Sequence, residues 1–156
     1  MHPEIIPYEE NYRSQLISLW ERSVLATHDF LKPEDFLSIS NIVKSLDFTQ
    51  LPVFCLVKNK KLIGFLGISG RKVEMLFIDP DFAGQGAGKM LMKFAIQKLQ
   101  ADQVDVNEQN TRAVSFYTKL GFTTLSRSET DSQGLPYPIL NMHLSGEKLD
   151  TGPEAI

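Results

Sequence analysis

Three glycines stand close together in the middle of the chain, at Gly84, Gly86 and Gly88, between an apolar stretch and a helical one. Glycines let the backbone turn tightly and let a ligand come close to the main-chain amides. The unpaired N–H groups at the start of a helix, strengthened by the helix dipole, bind anions. The segment Gly84-Gln85-Gly86-Ala87-Gly88 therefore predicts a site for a phosphate or pyrophosphate group.

Three kinds of phosphate site use a glycine loop of this type. A nucleotide-binding P-loop ends in Gly-Lys-Ser/Thr, but here Gly88 and Lys89 are followed by Met90. A dinucleotide site belongs near the start of a doubly wound parallel sheet, whereas the strands before Gly84 form an antiparallel meander in the sequence pattern. The third kind binds the pyrophosphate of an acyl-CoA. Taken alone, the glycines also suit an ordinary turn between a strand and a helix.

The elements that would position this loop follow from the hydrophobic periodicity. Apolar runs predict seven strands, at residues 5–8, 53–57, 62–69, 73–78, 104–106, 122–127 and 138–144. Apolar residues at helical spacing predict four helices: one ending near Ala26, one beginning at Pro33, one after Gly88 and one between Asn110 and Gly121. The order starts antiparallel and becomes α/β in the second half. The apolar strand at 73–78 is expected to be buried on both faces.

Two segments resemble the GNAT family of N-acetyltransferases. Residues 75–88 resemble the strand, Asp-Pro turn and pyrophosphate loop of that family, and residues 107–122 resemble its Asn…Ala…Phe-Tyr…Gly-Phe segment. The resemblance implies an α/β (α+β) fold, with a mixed, mostly antiparallel sheet of seven strands that is splayed at its centre and flanked by about four helices. We expect a single domain over residues 1–145 and a flexible tail at 146–156.

The same resemblance implies which residues bind acetyl-CoA. In this family the exposed main chain of the strand before the glycine loop pairs with the pantetheine arm, and the loop amides bind the pyrophosphate. Mapped onto this sequence, the binding residues are Leu76, Phe77, Ile78, Gly84, Gln85, Gly86, Ala87, Gly88, Lys89, Asn110 and Tyr117. Ala83 departs from the family pattern, in which an Arg or Gln opens the loop, so one side-chain contact is missing.

Tyr117 matches the general acid of the family. A phenol with a pKa of ~10 holds a proton at neutral pH and can give it to the departing CoA thiolate. Asn110 stands two helical turns earlier and points the same way. For the general base that takes the proton of the attacking amine, we consider Glu74 first, then Asp105 and His28. The implied reaction transfers the acetyl group of acetyl-CoA to a primary amine by direct attack in a ternary complex.

Each of these side chains also has an ordinary structural role open to it. Asn110 suits a helix N-cap, and Tyr117 suits a core position with a hydrogen-bonded hydroxyl. Glu74, Asp105 and His28 each suit a solvated or structural position. Without a catalytic tyrosine and a base, the glycine loop would still fit a non-catalytic acyl-CoA-binding module, which is the alternative function.

The composition bears on other classes of protein. The 156 residues carry a formal net charge of −3 and are 42% hydrophobic, as in an ordinary globular domain, and no basic run suggests a nucleic-acid partner. No apolar stretch approaches the ~20 residues of a membrane span. Cys55 is the single cysteine and is expected to be buried and inert, which speaks against a covalent acetyl-enzyme. We expect a cytoplasmic enzyme without a metal, as a monomer or homodimer, acting on a small-molecule or peptide amine.

Overall fold

Within residues 2–145, the part of the chain that the structure describes, the computed structural model has one sheet of seven strands and four α-helices. The strands are β1 (Glu4–Pro7), β2 (Val53–Lys58), β3 (Lys61–Ser69), β4 (Lys72–Ile78), β5 (Gln103–Asn107), β6 (Phe122–Ser128) and β7 (Ile139–Leu144). The helices are α1 (Arg13–Thr27), α2 (Pro33–Ser45), α3 (Ala87–Lys98) and α4 (Thr111–Leu120). The predicted elements are confirmed to within a few residues at their ends. The tail predicted at 146–156 lies outside the described residues.

The strands lie in the order β1-β2-β3-β4-β5-β7-β6, and all neighbours are antiparallel except β4 and β5. A two-residue turn joins β2 to β3, with positive φ values of 53° at Asn59 and 64° at Lys60. Turns with two such residues match the twist of a hairpin. The mixed, mostly antiparallel sheet predicted from the sequence is therefore confirmed.

The parallel pair β4–β5 is joined over a short length only. Lys72 pairs with Gln103 and Val73 with Val104, and the pairing stops there. On the other edge of β4, the register with β3 skips Glu74, which makes a β-bulge. A bulge bends its strand and increases the local twist. The expectation that 73–78 is buried on both faces is wrong, because beyond the bulge β4 has parted from β5 and is only partly buried.

Two hydrophobic clusters hold the helices against the sheet. One contains Leu91 and Ala95 of α3, and the other contains Leu16 and Trp20 of α1. Cys55 of β2 is fully buried in the second cluster, and burial raises the pKa of its thiol to about 12. The expected burial of this cysteine is thus confirmed. No helix within residues 2–145 combines the length and apolar character needed to cross a membrane.

Candidate active site

The parting of β4 and β5 opens a cleft of about 600 Å³. Its floor is formed by the separated parts of these two strands. One wall comes from the α1–α2 connector and α2, another from α4, and a third from the loop between β6 and β7. Residues from the whole length of the chain therefore meet at the centre of the sheet.

The main chain of β4 presents hydrogen-bonding groups to this opening. The N–H of Asp79 donates to the carbonyl oxygen of Ile63 on β3 at 2.9 Å. Backbone groups of successive strand residues point alternately to the two edges of the strand. The N–H and C=O groups of Leu76 and Ile78 therefore point away from β3, to the edge where β5 no longer pairs. These are the two residues whose main chain the family resemblance places against pantetheine.

The glycine loop lies beyond the C-terminal end of β4, the end at which the strands have separated. Gly84 and Gly86 have positive φ values of 77° and 86°, and Gly86 is the N-cap of α3. A Cβ atom at either position would meet nothing within 4 Å, so conformation and not crowding requires these glycines. The N–H of Met90 donates to Gly86 oxygen at 3.0 Å, which leaves the N–H groups of 87–89 without a helical partner.

A buried carboxylate fixes the turn between β4 and the glycine loop. Asp79 is 0% exposed, and Arg22 of α1 donates to its two oxygens at 2.7 and 3.0 Å. Asp79 Oδ1 also accepts the N–H of Asp81 at 2.9 Å, which caps the short 3-10 helix Pro80–Phe82. The hydrogen bonds from Arg22 hold the pKa of Asp79 below its usual value. An ionised Asp79 thus ties α1 to the start of the loop.

Asn110 and Tyr117 bring α4 to the wall of the cleft. Asn110 is the helix N-cap, since its Oδ1 accepts the N–H of Ala113 at 3.2 Å, and it lines the cleft as well. Tyr117 is 5% exposed and packs edge-on against the rings of Phe116 and Phe122. Burial raises the pKa of its phenol above the ordinary value. A protonated phenol therefore lines the cleft at neutral pH.

Lys72 connects the two carboxylates that were predicted as bases. Its Nζ lies 2.9 Å from Asp105 Oδ2 and 3.7 Å from Glu74 Oε2, and the hydrogen bond to Asp105 raises its pKa. The other oxygen of Asp105 accepts from Asn141 Nδ2 at 2.9 Å, and Asn141 Oδ1 lies 2.7 Å from His143 Nε2. Both oxygens of Asp105 are thus engaged. Glu74 makes one long contact and its side chain is 50% exposed, which leaves it freer to accept a proton.

His28, the third predicted base, follows the last residue of α1. Its Nδ1 lies 2.7 Å from Thr27 Oγ1, and that hydroxyl donates to the carbonyl oxygen of Ser23. Its ring packs on Phe30 at 5.2 Å between centroids. Burial lowers the pKa of the imidazole to about 4. A ring that stays neutral down to such a low pH is a weak base, so His28 ranks behind both carboxylates.

The cleft brings together seven of the residues predicted from the sequence, namely His28, Glu74, Leu76, Phe77, Asp105, Asn110 and Tyr117. Ile78 and the loop residues 84–89 lie outside its lining. The ring of Phe77 packs on Phe65 at 5.6 Å, and its main-chain groups point to β3, so among the β4 residues predicted to bind acetyl-CoA the free main-chain edge belongs to Leu76 and Ile78. Sequence reasoning missed Lys72, whose signal was a cation two residues before Glu74. Ile39 and Val43 of α2, which sequence reasoning did not single out as site residues, also line the cleft.

Comparison with known proteins identifies the family. Residues 36–145 match the model of the acetyltransferase (GNAT) domain. The chain is 43% identical over 129 residues to the peptidyl-lysine N-acetyltransferase YjaB of Salmonella typhimurium strain LT2, which covers 82% of this chain and 88% of that protein. The solution structure of apo-form YjaB from Escherichia coli matches with a TM-score of 0.85 at 38% identity, over 94% of this chain and 99% of that one. The PaiA N-acetyltransferase from Thermoplasma acidophilum, crystallised in complex with coenzyme A, matches with a TM-score of 0.71 at 23% identity, over 90% and 98%.

The chain therefore belongs to the GNAT family and is an N-acetyltransferase. The family and fold inferred from residues 75–88 and 107–122 are confirmed. Of the two functions considered from the sequence, the comparisons support the N-acetyltransferase and not the non-catalytic acyl-CoA-binding module. Across residues 2–145, no three His, Cys, Asp or Glu side chains are grouped so that they would hold a metal ion.

Proposed function

We propose that the protein transfers the acetyl group of acetyl-CoA to the side-chain amine of a lysine in a peptide or protein, by direct attack in a ternary complex. The observation that carries the proposal is the parting of β4 from β5 beyond Val73 and Val104. This parting provides a free main-chain edge for the donor and an acidic cleft for the acceptor. The relatives named peptidyl-lysine N-acetyltransferases support the choice of lysine.

Acetyl-CoA, as the donor substrate, fits the free edge of β4 and the glycine loop. The main-chain groups of Leu76 and Ile78 would pair with the pantetheine amides as a neighbouring strand would. A main-chain N–H aimed at the thioester carbonyl stabilises the oxyanion of the transition state by ~2.7–4 kcal/mol. The pyrophosphate would lie against the N–H groups of 84–89, at the positive end of the α3 dipole. The exposed side chain of Lys89 adds positive charge there.

The acetyl transfer needs one group to accept a proton and one to donate a proton. Glu74 removes a proton from the acceptor ammonium, directly or through water, so that the nitrogen can attack the thioester carbon. The C–N bond forms, the C–S bond breaks, and the electron pair leaves on sulfur. Tyr117 donates its phenolic proton to that thiolate. The nitrogen then loses its second proton, which returns Tyr117 to its protonated form, and the proton held by Glu74 passes to solvent. The ammonium thus loses two protons, of which the equivalent of one ends on sulfur and the other in solvent.

The charge and shape of the cleft suit a lysine side chain. Glu74, Asp105 and Asp131 line it, and the lining within residues 2–145 includes no Lys or Arg. Lys72, outside the lining, pairs with Asp105 at 2.9 Å and lies 3.7 Å from Glu74, so Glu74 and Asp131 are the carboxylates more open to an ammonium. Ile39 and Ile42 of α2 provide apolar contact beside these carboxylates. A chain of methylene groups that ends in an ammonium matches both features, because the methylenes pack on α2 while the charge faces the carboxylates.

Release of free thiol from acetyl-CoA tests the choice of acceptor. The panel contains an N-terminally blocked peptide with one lysine, the same sequence with leucine for lysine and a free N-terminus, and spermidine. We expect kcat/KM for the blocked lysine peptide to exceed the other two by at least about tenfold, with mass spectrometry placing the acetyl group on the lysine side chain. A preference for the free N-terminus or for spermidine contradicts the lysine assignment.

Two matched variants separate the candidate bases. Glu74→Gln and Asp105→Asn each remove one charge and keep the shape of the side chain. We expect Glu74→Gln to lower kcat by about 10²-fold or more and to remove the acid limb of the pH–rate profile. Asp105→Asn should lower kcat by less than about tenfold, because Asp105 acts through Lys72. A larger loss in Asp105→Asn would exchange the roles of the two carboxylates.

A further inference from the structure

Two walls of the cleft meet through one side chain, Tyr137. Its hydroxyl donates to Asp35 Oδ2 in the first turn of α2 and accepts the N–H of Lys32 at 3.1 Å. Its ring is 5% exposed and packs on Phe30 at 6.0 Å between centroids. We call the group of Phe30, Lys32, Asp35 and Tyr137 the clasp. It joins the α1–α2 connector to the segment between β6 and β7.

Both segments that the clasp joins line the acceptor side of the cleft. His28 and the inner face of α2 form one wall, and residues 130–133 of the β6–β7 loop form the other. The floor between them consists of β4 and β5, which have parted at this point. The Tyr137 contact joins the α1–α2 connector to the β6–β7 segment, whereas β4 and β5 beneath them do not pair at this point. The contact therefore bears on the distance between the two walls.

Each wall has hydrogen bonds of its own, and the clasp adds a side-chain contact between the two walls. In the β6–β7 loop, Asp131 Oδ1 accepts the N–H groups of Gln133 and Leu135 at 2.9 Å each. In the α1–α2 connector, the N–H of Leu31 donates to the carbonyl oxygen of His28 at 3.1 Å. These local hydrogen bonds hold the shape of each segment. They do not connect the two segments, which Tyr137 does.

We propose that Tyr137 is a positioning residue that sets the width of the acceptor entrance and thereby selects an unbranched primary amine over one that is branched next to nitrogen. The inference rests on the proposed transfer of acetyl to an amine. An entrance held at one width needs no ordering of its loops when the acceptor binds, which favours a slender acceptor. Walls that are free to separate would admit a branched amine almost as well.

Tyr137→Phe tests the clasp, because it removes both hydrogen bonds and keeps the ring. The acceptors are n-hexylamine and cyclohexylamine, primary amines of equal carbon number and different shape. We expect the wild-type enzyme to prefer n-hexylamine and the variant to lose about tenfold of that preference in kcat/KM, with the KM for acetyl-CoA changed by less than about twofold. Tyr8→Phe is the matched control, since its hydroxyl donates to Glu10 away from the cleft.

A second pair of variants separates positioning from stability. Asp35→Asn keeps an oxygen that accepts from Tyr137 and should retain the amine preference, whereas Asp35→Ala should lose it. An unchanged preference in Tyr137→Phe, or an equal rise in the KM for acetyl-CoA, overturns the proposal. If the blocked lysine peptide is not acetylated while the two amines behave as expected, the lysine assignment fails and the clasp stands.

Amide hydrogen exchange tests the clasp without any acceptor. The N–H of Lys32 donates to the Tyr137 oxygen, and those of Gln133 and Leu135 lie in the opposite wall. In Tyr137→Phe the Lys32 amide should exchange faster because it loses its acceptor, and the Gln133 and Leu135 amides should exchange at least about tenfold faster because their wall is no longer held. If no amine is acetylated, this measurement decides alone, and unchanged exchange at Gln133 and Leu135 overturns the proposal.

Discussion

Replacing Arg22 with alanine breaks the link between α1 and the turn that begins the glycine loop. In the wild-type protein the guanidinium donates to both oxygens of Asp79, which is 0% exposed. In Arg22→Ala the N–H of Asp81 remains as a donor to Asp79 Oδ1, but the charge of the carboxylate has lost its partner. The substitution is therefore expected to lower the stability of the fold and to loosen the position of the glycine loop.

The expected loss of stability follows from the burial of the two side chains. Removing one partner of a buried ion pair costs about 3–5 kcal/mol, because the other charge stays behind. The Arg22 side chain is 44% exposed, so solvent already weakens the pair, and we expect the free energy of unfolding to fall by about 2–3 kcal/mol. For a chain of this length each kcal/mol moves Tm by about 2–4 °C.

The pH dependence of this loss has a definite sign. Arg22 holds the pKa of Asp79 below its ordinary value of 3.8. Stability from such a group is present above the unfolded pKa and is lost as the pH falls through the folded one. The difference in unfolding free energy between wild type and Arg22→Ala should therefore be largest near neutral pH and should narrow below about pH 4.

Urea denaturation followed by the fluorescence of Trp20, which is buried in α1, measures the loss. The KM for acetyl-CoA should rise as well, since the turn before the loop is no longer held. Arg13→Ala is the control, because Arg13 donates to the carbonyl oxygens of Lys44 and Leu46, away from the loop. It should leave the KM for acetyl-CoA unchanged. A loss below about 0.5 kcal/mol in Arg22→Ala, with an unchanged KM, would refute the reasoning.

Three other perturbations have outcomes that the structure determines. Tyr117→Phe should lower kcat by about 10²–10⁴ in steady-state assays and leave acetyl-CoA binding nearly unchanged, because a proton donor acts in the transition state; a wild-type kcat contradicts the acid role. Gly86→Asp should abolish acetyl-CoA binding in calorimetry, while Gly70→Asp, at a positive φ with equally open space, should retain it; equal effects would mean backbone strain alone. The folded protein binds fewer protons than the unfolded one between pH 6.5 and about 4, because desolvation lowers the pKa of the partly buried His28 to about 4. Its unfolding free energy in urea should therefore decrease as the pH is lowered across that range, by at most about 3 kcal/mol from this group. His28→Gln should flatten the slope of unfolding free energy against pH.

The elements of the fold could be predicted because their signals are local. The short gap between the strands predicted at 53–57 and 62–69 indicated a tight turn, and Asn59 and Lys60 have the positive φ values that such turns need. The helix predicted between Asn110 and Gly121 ends at Gly121, which has a φ of 106°. Asn110 was predicted as a possible cap of the same helix and is one. Each of these features depends only on residues a few positions away.

The details of the site could not be predicted because they depend on pairing between distant residues. The bulge at Glu74 exists only in the register of β4 against β3, and no residue type requires it. Tyr137 and Asp35 are 102 positions apart, so their contact needs the folded sheet to bring both loops together. Lys72 bridges Asp105 and Glu74 only because β4 and β5 pair at their first residues.

The free edge of β4 carries main-chain groups that the sheet does not pair and that the proposed donor would bind. Backbone groups without a partner cost free energy when they are buried, and the main-chain groups of Leu76 and Ile78 belong to residues that are only partly buried, which reduces that cost. The bulge at Glu74 turns the strand away from β5, and Lys72 holds the two strands together where the opening begins. The opening therefore has a fixed start and a fixed direction. In the binding mode that we propose, the amides of the donor meet an edge that is already in position, so the hydrogen bonds that β4 does not make with β5 are available to recognise acetyl-CoA.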